Sequence, residues 1–216
     1  MRFASRTDAG RQLGQHLREK GIEVDLVLGL PRGGVVVAAE VARLLNRPLD
    51  ALIVRKIGHP WHREFAVGAL AEPDVVILDE ASVGKNPEVR FQLDRVIAEE
   101  TARLQSYCSQ FHAETALAVE GKTVLLVDDG LATGATAEAA VLSAKKRKAR
   151  RIVVATPVAS THAIARLTPL ADHVVALAVD PAFGAVGQYY EKFDETTDEE
   201  VLALLHRHTK GGQSPP

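Results

Sequence analysis

Two adjacent carboxylates, Asp128 and Asp129, stand at the end of the apolar run Thr123–Val127, directly before the small-residue turn Gly130-Leu131-Ala132-Thr133-Gly134-Ala135-Thr136. Paired acids can accept hydrogen bonds from a sugar diol. A Gly- and Thr-rich turn that opens a helix presents backbone N–H groups to an anion, and the helix dipole favours negative charge there. Thr133 and Thr136 add hydroxyl donors, and Gly134 allows close backbone approach. The predicted chemistry is a phosphate held beside a diol. An ordinary turn with an aspartate cap does not explain why two acids and two threonines converge on one strand end.

A second strand end carries Leu28-Gly29-Leu30-Pro31-Arg32-Gly33-Gly34. Arg32 supplies a fork of donors suited to phosphate oxygens. Gly33 and Gly34 free their backbone N–H groups to face an anion. A third cluster, Val54 to Phe65, holds Arg55, Lys56, His59, His62 and Arg63. His59 and His62 have no evident third ligand nearby, so no metal is expected on them. The run Lys145–Arg151 falls at a helix C-terminus, where cations suit the dipole, and reads as a solvated helix end.

The elements that must position these residues follow from periodicity and breakers. Residues 8–20 predict an amphipathic helix with Leu13 and Leu17 on one face. Short apolar runs bounded by breakers predict buried strands at Asp25–Leu30, Leu49–Ile57, Thr123–Val127, Ile152–Thr156 and Val174–Val179. Phe65–Leu70 and Val75–Leu78 read as two further strands, and Gly58–Glu64 as a polar loop. Helices are predicted at Val35–Leu45, Gly134–Lys146, Thr161–Leu167 and Thr197–His208. Pro87–Leu117 predicts one long helix or two joined ones, and Cys108 a half-buried residue on it. Asp180–Phe193 reads as a loop rich in glycine and aromatics, and Gly211–Pro216 as a disordered tail. Strands alternating with helices imply βαβ units, a parallel sheet, and ligands beyond the carboxyl ends of its strands.

The chain has 216 residues, 46% hydrophobic and 25% charged, with a formal net charge of -2. That size accommodates a real core, read here as a single domain spanning 1–216. The near-neutral balance does not suggest a nucleic-acid binder, so DNA and RNA are not expected partners. With one cysteine, Cys108, neither an intrachain disulfide nor a cluster of several cysteines can form. No signal-peptide pattern opens the chain, and no apolar run approaches the roughly 18 residues of a membrane span. A cytoplasmic protein without membrane contact is expected. No Gly-x-x-x-x-Gly-Lys-Ser/Thr loop occurs, which argues against a kinase or ATPase.

The segment Val124–Thr136, VLLVDDGLATGAT, resembles the phosphoribosyl-pyrophosphate signature of type I phosphoribosyltransferases. Four apolar residues, two acids and a Thr-Gly-x-Thr turn match it in a strand–turn–helix context. The resemblance implies a Rossmann-like α/β core with a parallel sheet and a helical hood. It implies that Asp128 and Asp129 hold the ribose hydroxyls and that Ala132, Thr133, Gly134, Ala135 and Thr136 hold the 5-phosphate. Pro31, Arg32, Gly33 and Gly34 look like the family's pyrophosphate loop, which often contains a cis peptide that does not precede proline. Arg55 and Lys56 fall where the family has a flexible loop that covers the reacting sugar, and they are candidates for pyrophosphate contact. Two segments could build the base-selecting hood: the helical insertion 79–121, and 180–193 with Phe183, Val186 and Tyr189. Purine-salvage relatives place an acid where this chain has Ala132. The Leu-Ala-Thr-Gly wording looks instead like uracil-specific relatives, yet those show Asp-Pro in place of Asp128-Asp129.

What the resemblance implies is a magnesium-dependent transfer of 5-phosphoribosyl from 5-phosphoribosyl-1-pyrophosphate (PRPP) to a nitrogen nucleophile, a nucleobase, by a homodimer. Asp128, Asp129 and Arg32 would be the catalytic residues. Magnesium would be held mainly by substrate oxygens and water, with no dedicated protein ligands. A non-catalytic sensor of the same ligand would carry the same motifs.

Overall fold

Sixteen short elements follow one another in a largely alternating β/α order, and the computed structural model describes residues 1–84, 86–112 and 117–211. They are α1 (Arg6–Glu19), β1 (Leu26–Gly29), α2 (Gly33–Leu45), β2 (Leu49–Ala51), β3 (Val54–His59), β4 (His62–Ala71), β5 (Val75–Leu78), α3 (Glu80–Val83) and α4 (Pro87–Phe111). Then come β6 (Thr123–Val127), α5 (Ala135–Lys146), β7 (Arg151–Ser160), α6 (Thr161–Leu167), β8 (His173–Asp180), a 3₁₀ turn (Val186–Tyr189) and α7 (Asp198–Gly211). The expected disordered tail, apart from Gly211, lies outside the described residues.

Five strands form one parallel sheet in the order β2-β1-β6-β7-β8. Successive side chains on a strand point to opposite faces, so each strand feeds two cores. Val27, Leu125 and Val153 meet α1, α2 and α7 through Leu13, Leu17, Val35 and Val201. Leu26, Leu28, Leu126 and Val154 meet α5 and α6 through Ala140, Val141 and Leu167. The continuous apolar runs of the sequence are what a sheet covered on both faces requires. From β1 the chain first moves outward to β2, then returns on the other side of β1 as β6. That reversal opens a crevice at the carboxyl ends of β1 and β6, the two strands whose ends carry the unusual chemistry.

The structure corrects three element predictions. Leu49–Ile57 is two strands in different sheets, because the chain leaves the core at Leu52 and Ile53 and crosses into a small antiparallel sheet, β3-β4-β5. Residues 58–64, expected to be a polar loop, close a β-hairpin whose strands pair as far as His59 and His62. β7 continues past Pro157 to Ser160, where sequence reading stopped at Thr156; Pro157 lacks a donor, yet Val158–Ser160 resume pairing with β8. In the insertion, Asp79 caps α3 and Asn86 caps α4, whose first residue is Pro87. α4 packs against one face of the small sheet through Leu93, Val96 and Leu104, near Ile57 and Leu70. The other face of that sheet, with Ala69, Ala71 and Ile77, rests on α5. No helix among the described residues is long and apolar enough to cross a membrane.

Candidate functional site

The two strand ends that share the crevice are in direct contact. β1 and β6 are hydrogen-bonded neighbours, and the Leu30 N–H donates to the Val127 carbonyl at 2.9 Å. The peptide joining Pro31 and Arg32 is cis, as the resemblance implies. The chain then turns directly into α2, with Gly33 and Gly34 in its first turn. Those glycines lie on the acids. A Cβ on Gly33 would stand 2.1 Å from Asp129 Oδ2, and one on Gly34 would stand 2.8 Å from the Val127 carbonyl oxygen and 3.0 Å from the Asp128 Cα. At Gly34 the neighbours are backbone atoms that cannot turn aside, so glycine is required there for the two turns to meet.

The acids have unequal surroundings. Asp129 Oδ2 accepts from Arg6 Nε at 2.7 Å, with both side chains largely buried. Arg6 lies over the Phe193 ring, 3.8 Å from its centroid, and donates to the Asp194 carbonyl at 2.7 Å. The Tyr190 hydroxyl donates to the Asp129 carbonyl at 2.5 Å. Burial, then the Asp129 charge, push the Tyr190 phenol up. Asp128 Oδ1 accepts from the Asp129 N–H at 2.8 Å. Burial raises the Asp128 pKa, and the adjacent Asp129 charge raises it further; Lys56 and Arg6 oppose the rise but do not cancel it. One carboxylate is therefore neutralised by an arginine, while its neighbour keeps unmet demand for positive charge.

The small-residue turn is built where β6 gives way to α5. Gly134 takes φ +75°, a left-handed conformation that glycine adopts freely, and α5 begins at Ala135. Leu131 bridges to Ala159 of β7, and Ser160 Oγ donates to the Ala132 carbonyl at 2.5 Å while accepting from the Ala163 N–H at 2.9 Å. Ser160 thus caps α6 and fixes the turn with one hydroxyl. Ala132 and Thr133 are exposed at its tip, just before the N-terminus of α5, whose first N–H groups have no partner within the helix.

The other sequence candidates divide. Arg32 borders a cleft of about 250 Å³ with Pro31, Ile53, Val54, Arg55 and Tyr107. Its guanidinium pairs with Glu195, and with Asp198 at 3.6 Å. Arg55 lines the same cleft but is bound by Glu100 of α4 at 2.6 Å and lies 5.3 Å from the centre of the Tyr107 ring. Lys56, next in the strand and therefore on the opposite face, is exposed and close enough for its charge to act on Asp128. Phe183 stacks on Tyr189 at 5.1 Å, and the Tyr189 hydroxyl donates to Asp180 at 2.7 Å. Val186 presses on Gly130, where a Cβ would come within 2.5 Å of it, so that segment borders the acids. Four cations of Lys145–Arg151 engage acids or a carbonyl: Lys146 binds Asp74 at 2.7 Å, Arg147 donates to the Leu117 carbonyl at 3.1 Å, Lys148 binds Glu120 at 3.3 Å, and Arg150 binds Asp25 at 3.2 Å.

Sequence reading missed Arg6, Ser160 and Tyr190. Arg6 sits at the start of an amphipathic helix, and Ser160 follows a strand like any helix cap. Tyr190 carried a signal, being next to Tyr189 in an aromatic- and glycine-rich loop, but nothing in the sequence said which ring reaches the acids.

A family model described as the phosphoribosyl transferase domain matches residues 4–192. Two Mycobacterium tuberculosis sequences provisionally named phosphoribosyl transferases are 42% identical to this chain over 206 residues, which is 95% of this chain and 46% of theirs. The chain thus spans about half the length of those curated relatives. TT1426 from Thermus thermophilus is similar at 44% identity, with a TM-score of 0.80 over 96% of this chain and 99% of that one. AQ2163 from Aquifex aeolicus has a TM-score of 0.51 at 12% identity, covering 93% and 86%, and shares the fold. The crevice at the β1–β6 switch, the acid pair over a helix-opening turn and the match across residues 4–192 agree: this chain belongs to the phosphoribosyl transferase domain family.

Proposed function

We propose that this chain transfers the 5-phosphoribosyl group of PRPP to a nitrogen nucleophile, of the nucleobase class, with release of pyrophosphate. The observation that carries this reading is the contact of Gly33 and Gly34 with Asp129 and Asp128. It joins a phosphate-type turn, a diol-type acid pair and a second anion loop into one surface. In this reading the turn Ala132–Thr136 and the N-terminus of α5 take the 5-phosphate. Asp128 and Asp129 accept from the ribose hydroxyls. The Gly33 and Gly34 N–H groups, Arg32 and Lys56 face the departing pyrophosphate, where negative charge grows as the bond to the sugar breaks. The sugar passes through an oxocarbenium-like transition state, as in glycoside cleavage.

The donor set suits magnesium, which prefers hard oxygens and keeps substrate oxygens and water among its ligands. Asp128 and Asp129 are the carboxylates beside which it would sit, and the unmet charge at Asp128 supports that fit. When bound, magnesium supplies positive charge to the pyrophosphate oxygens. For Arg32 to serve the substrate, its ion pairs with Glu195 and Asp198 must give way. Glu195 is 78% exposed, so releasing that partner costs little.

The test is pyrophosphate release from PRPP and magnesium with a panel of purine, pyrimidine and pyridine bases. The expected result is release with one base class, reduced at least tenfold, about 1.4 kcal/mol, by either Asp128→Asn or Asp129→Asn. Unchanged turnover in both variants would sink the assignment. Silence across the panel with PRPP still binding by calorimetry would favour the sensor.

A further inference from the structure

Outside the crevice, the described structure gathers a second set of polar side chains from four elements. Glu72, just past the end of β4, places Oε1 and Oε2 each 3.1 Å from His112 Nε2. Cys108 Sγ lies 3.6 Å from Glu72 Oε2. Cys108 and His112 are four residues apart at the end of α4, so they share one helix face. Asp50 of β2 places Oδ1 3.4 Å from His112 Nδ1, and Arg147, at the end of α5, reaches within 3.9 Å of Glu72.

We propose that Glu72, Cys108 and His112 form a binding site for one divalent transition metal of the zinc class, with Asp50 orienting the His112 ring. The donors are of the right kind: one thiol, one imidazole and one carboxylate, whose ligand atoms lie within 4.8 Å of one another. Tetrahedral zinc, with bonds of about 2.0–2.3 Å, places its ligand atoms roughly 3.3–3.7 Å apart. The 3.1 Å and 3.6 Å separations here fall close to that spacing. Asp50 stands where a metal-binding histidine needs its outer carboxylate, on the nitrogen that does not take the metal. His112 Nδ1 is buried without a hydrogen-bond partner, its side chain only 10% exposed, and Arg147 Nη1 is buried in the same state. A metal at Nε2 would polarise the imidazole and draw Nδ1–H toward Asp50.

Charge balance supports the exchange. Burial lowers the His112 pKa, but its contacts with Asp50 and Glu72 outweigh that and raise it, and burial raises that of Cys108. One dication replaces two protons, that of the thiol and that on Nε2, which leave to solvent. The net charge of the cluster is the same before and after, with Arg147 as its constant cation. The site joins β2 of the core sheet to the end of the small sheet and to α4, so a bound metal would fasten the insertion to the core. It shares no residue with the acid pair.

The test is titration of the chelator-stripped 216-residue chain with Co(II), followed by displacement with Zn(II), without substrate. We expect one equivalent bound, with the visible bands of tetrahedral Co(II), a thiolate charge-transfer band, and two protons released per metal by calorimetry in buffers of different ionisation enthalpy. Cys108→Ser, a one-atom change, should abolish the charge-transfer band and weaken binding at least tenfold while the circular dichroism spectrum is kept. His112→Gln should do the same. No stoichiometric band in folded wild-type protein would overturn the proposal, as would an unchanged band in Cys108→Ser. So would loss of the band only in His59→Ala/His62→Ala, which would move the metal to the hairpin.

Discussion

Gly34→Ala tests whether the two anion turns function as one surface. The new methyl would start 2.8 Å from the Val127 carbonyl oxygen and 3.0 Å from the Asp128 Cα. Both are backbone atoms at the end of a central strand, so no side-chain rotation relieves the clash. Carbon prefers neighbours at about 3.5 Å or more, so the turn and the strand end must part by roughly half an ångström. Overpacking of this kind costs about 1–3 kcal/mol, including strain on the Leu30–Val127 hydrogen bond. For a chain of this size that lowers Tm by roughly 2–12 °C. The larger effect is on function. A displacement of about 1 Å in a reacting site costs on the order of a hundredfold, so half of it at Asp128 should cost about tenfold in kcat/KM for PRPP. The assays are differential scanning fluorimetry and pyrophosphate release, with PRPP affinity by calorimetry. A variant with wild-type Tm and wild-type PRPP affinity would refute the claim that close packing of Gly34 on the acid pair sets the site.

Ser160→Ala removes both the tie on the Ala132 carbonyl and the cap on α6, and should lower stability by about 1–2 kcal/mol in urea unfolding and raise the KM for PRPP; an unchanged KM would mean that the phosphate turn holds its shape without it. Glu195→Gln frees Arg32 from an exposed partner and should tighten PRPP binding by no more than about fivefold, most clearly at low salt; weaker binding would show that Glu195 helps rather than competes. Because burial and Asp129 raise the Asp128 pKa, its ionised form appears at higher pH than for an ordinary aspartate, so PRPP–magnesium affinity should rise with pH beyond the usual carboxylate range near 4. Arg6→Gln removes a cation that opposes the rise, so it should move that limb to still higher pH, whereas Asp129→Asn should move it lower; calorimetry across pH reads both, and shifts in the reverse directions would contradict the coupling.

Much of the fold was legible because its signals are short-range. Val75–Leu78, Thr123–Val127 and Thr161–Leu167 have the bounds read from periodicity and breakers. Leu49–Ile57 failed for the same reason: an apolar run records burial, not which sheet does the burying. The hairpin at residues 58–64 was missed because its cations and histidines resemble a solvated loop, and its pairing depends on β4 further along. Asp128, Asp129 and the Ala132–Thr136 turn could be singled out as candidates because strand, acids and helix start are contiguous in sequence.

The sequence by itself determined the parallel α/β order and placed two acids and a small-residue turn together at one strand end, since both are written in neighbouring residues. Only the tertiary structure decided which residues those acids meet. Arg6 reaches Asp129 across 123 positions, and Arg55 turns to Glu100 across 45. The same holds for Glu72, Cys108 and His112, brought together from a strand end and a distant helix. Such encounters depend on sheet order and on the path of the insertion, and those are settled by burying all the apolar faces at once.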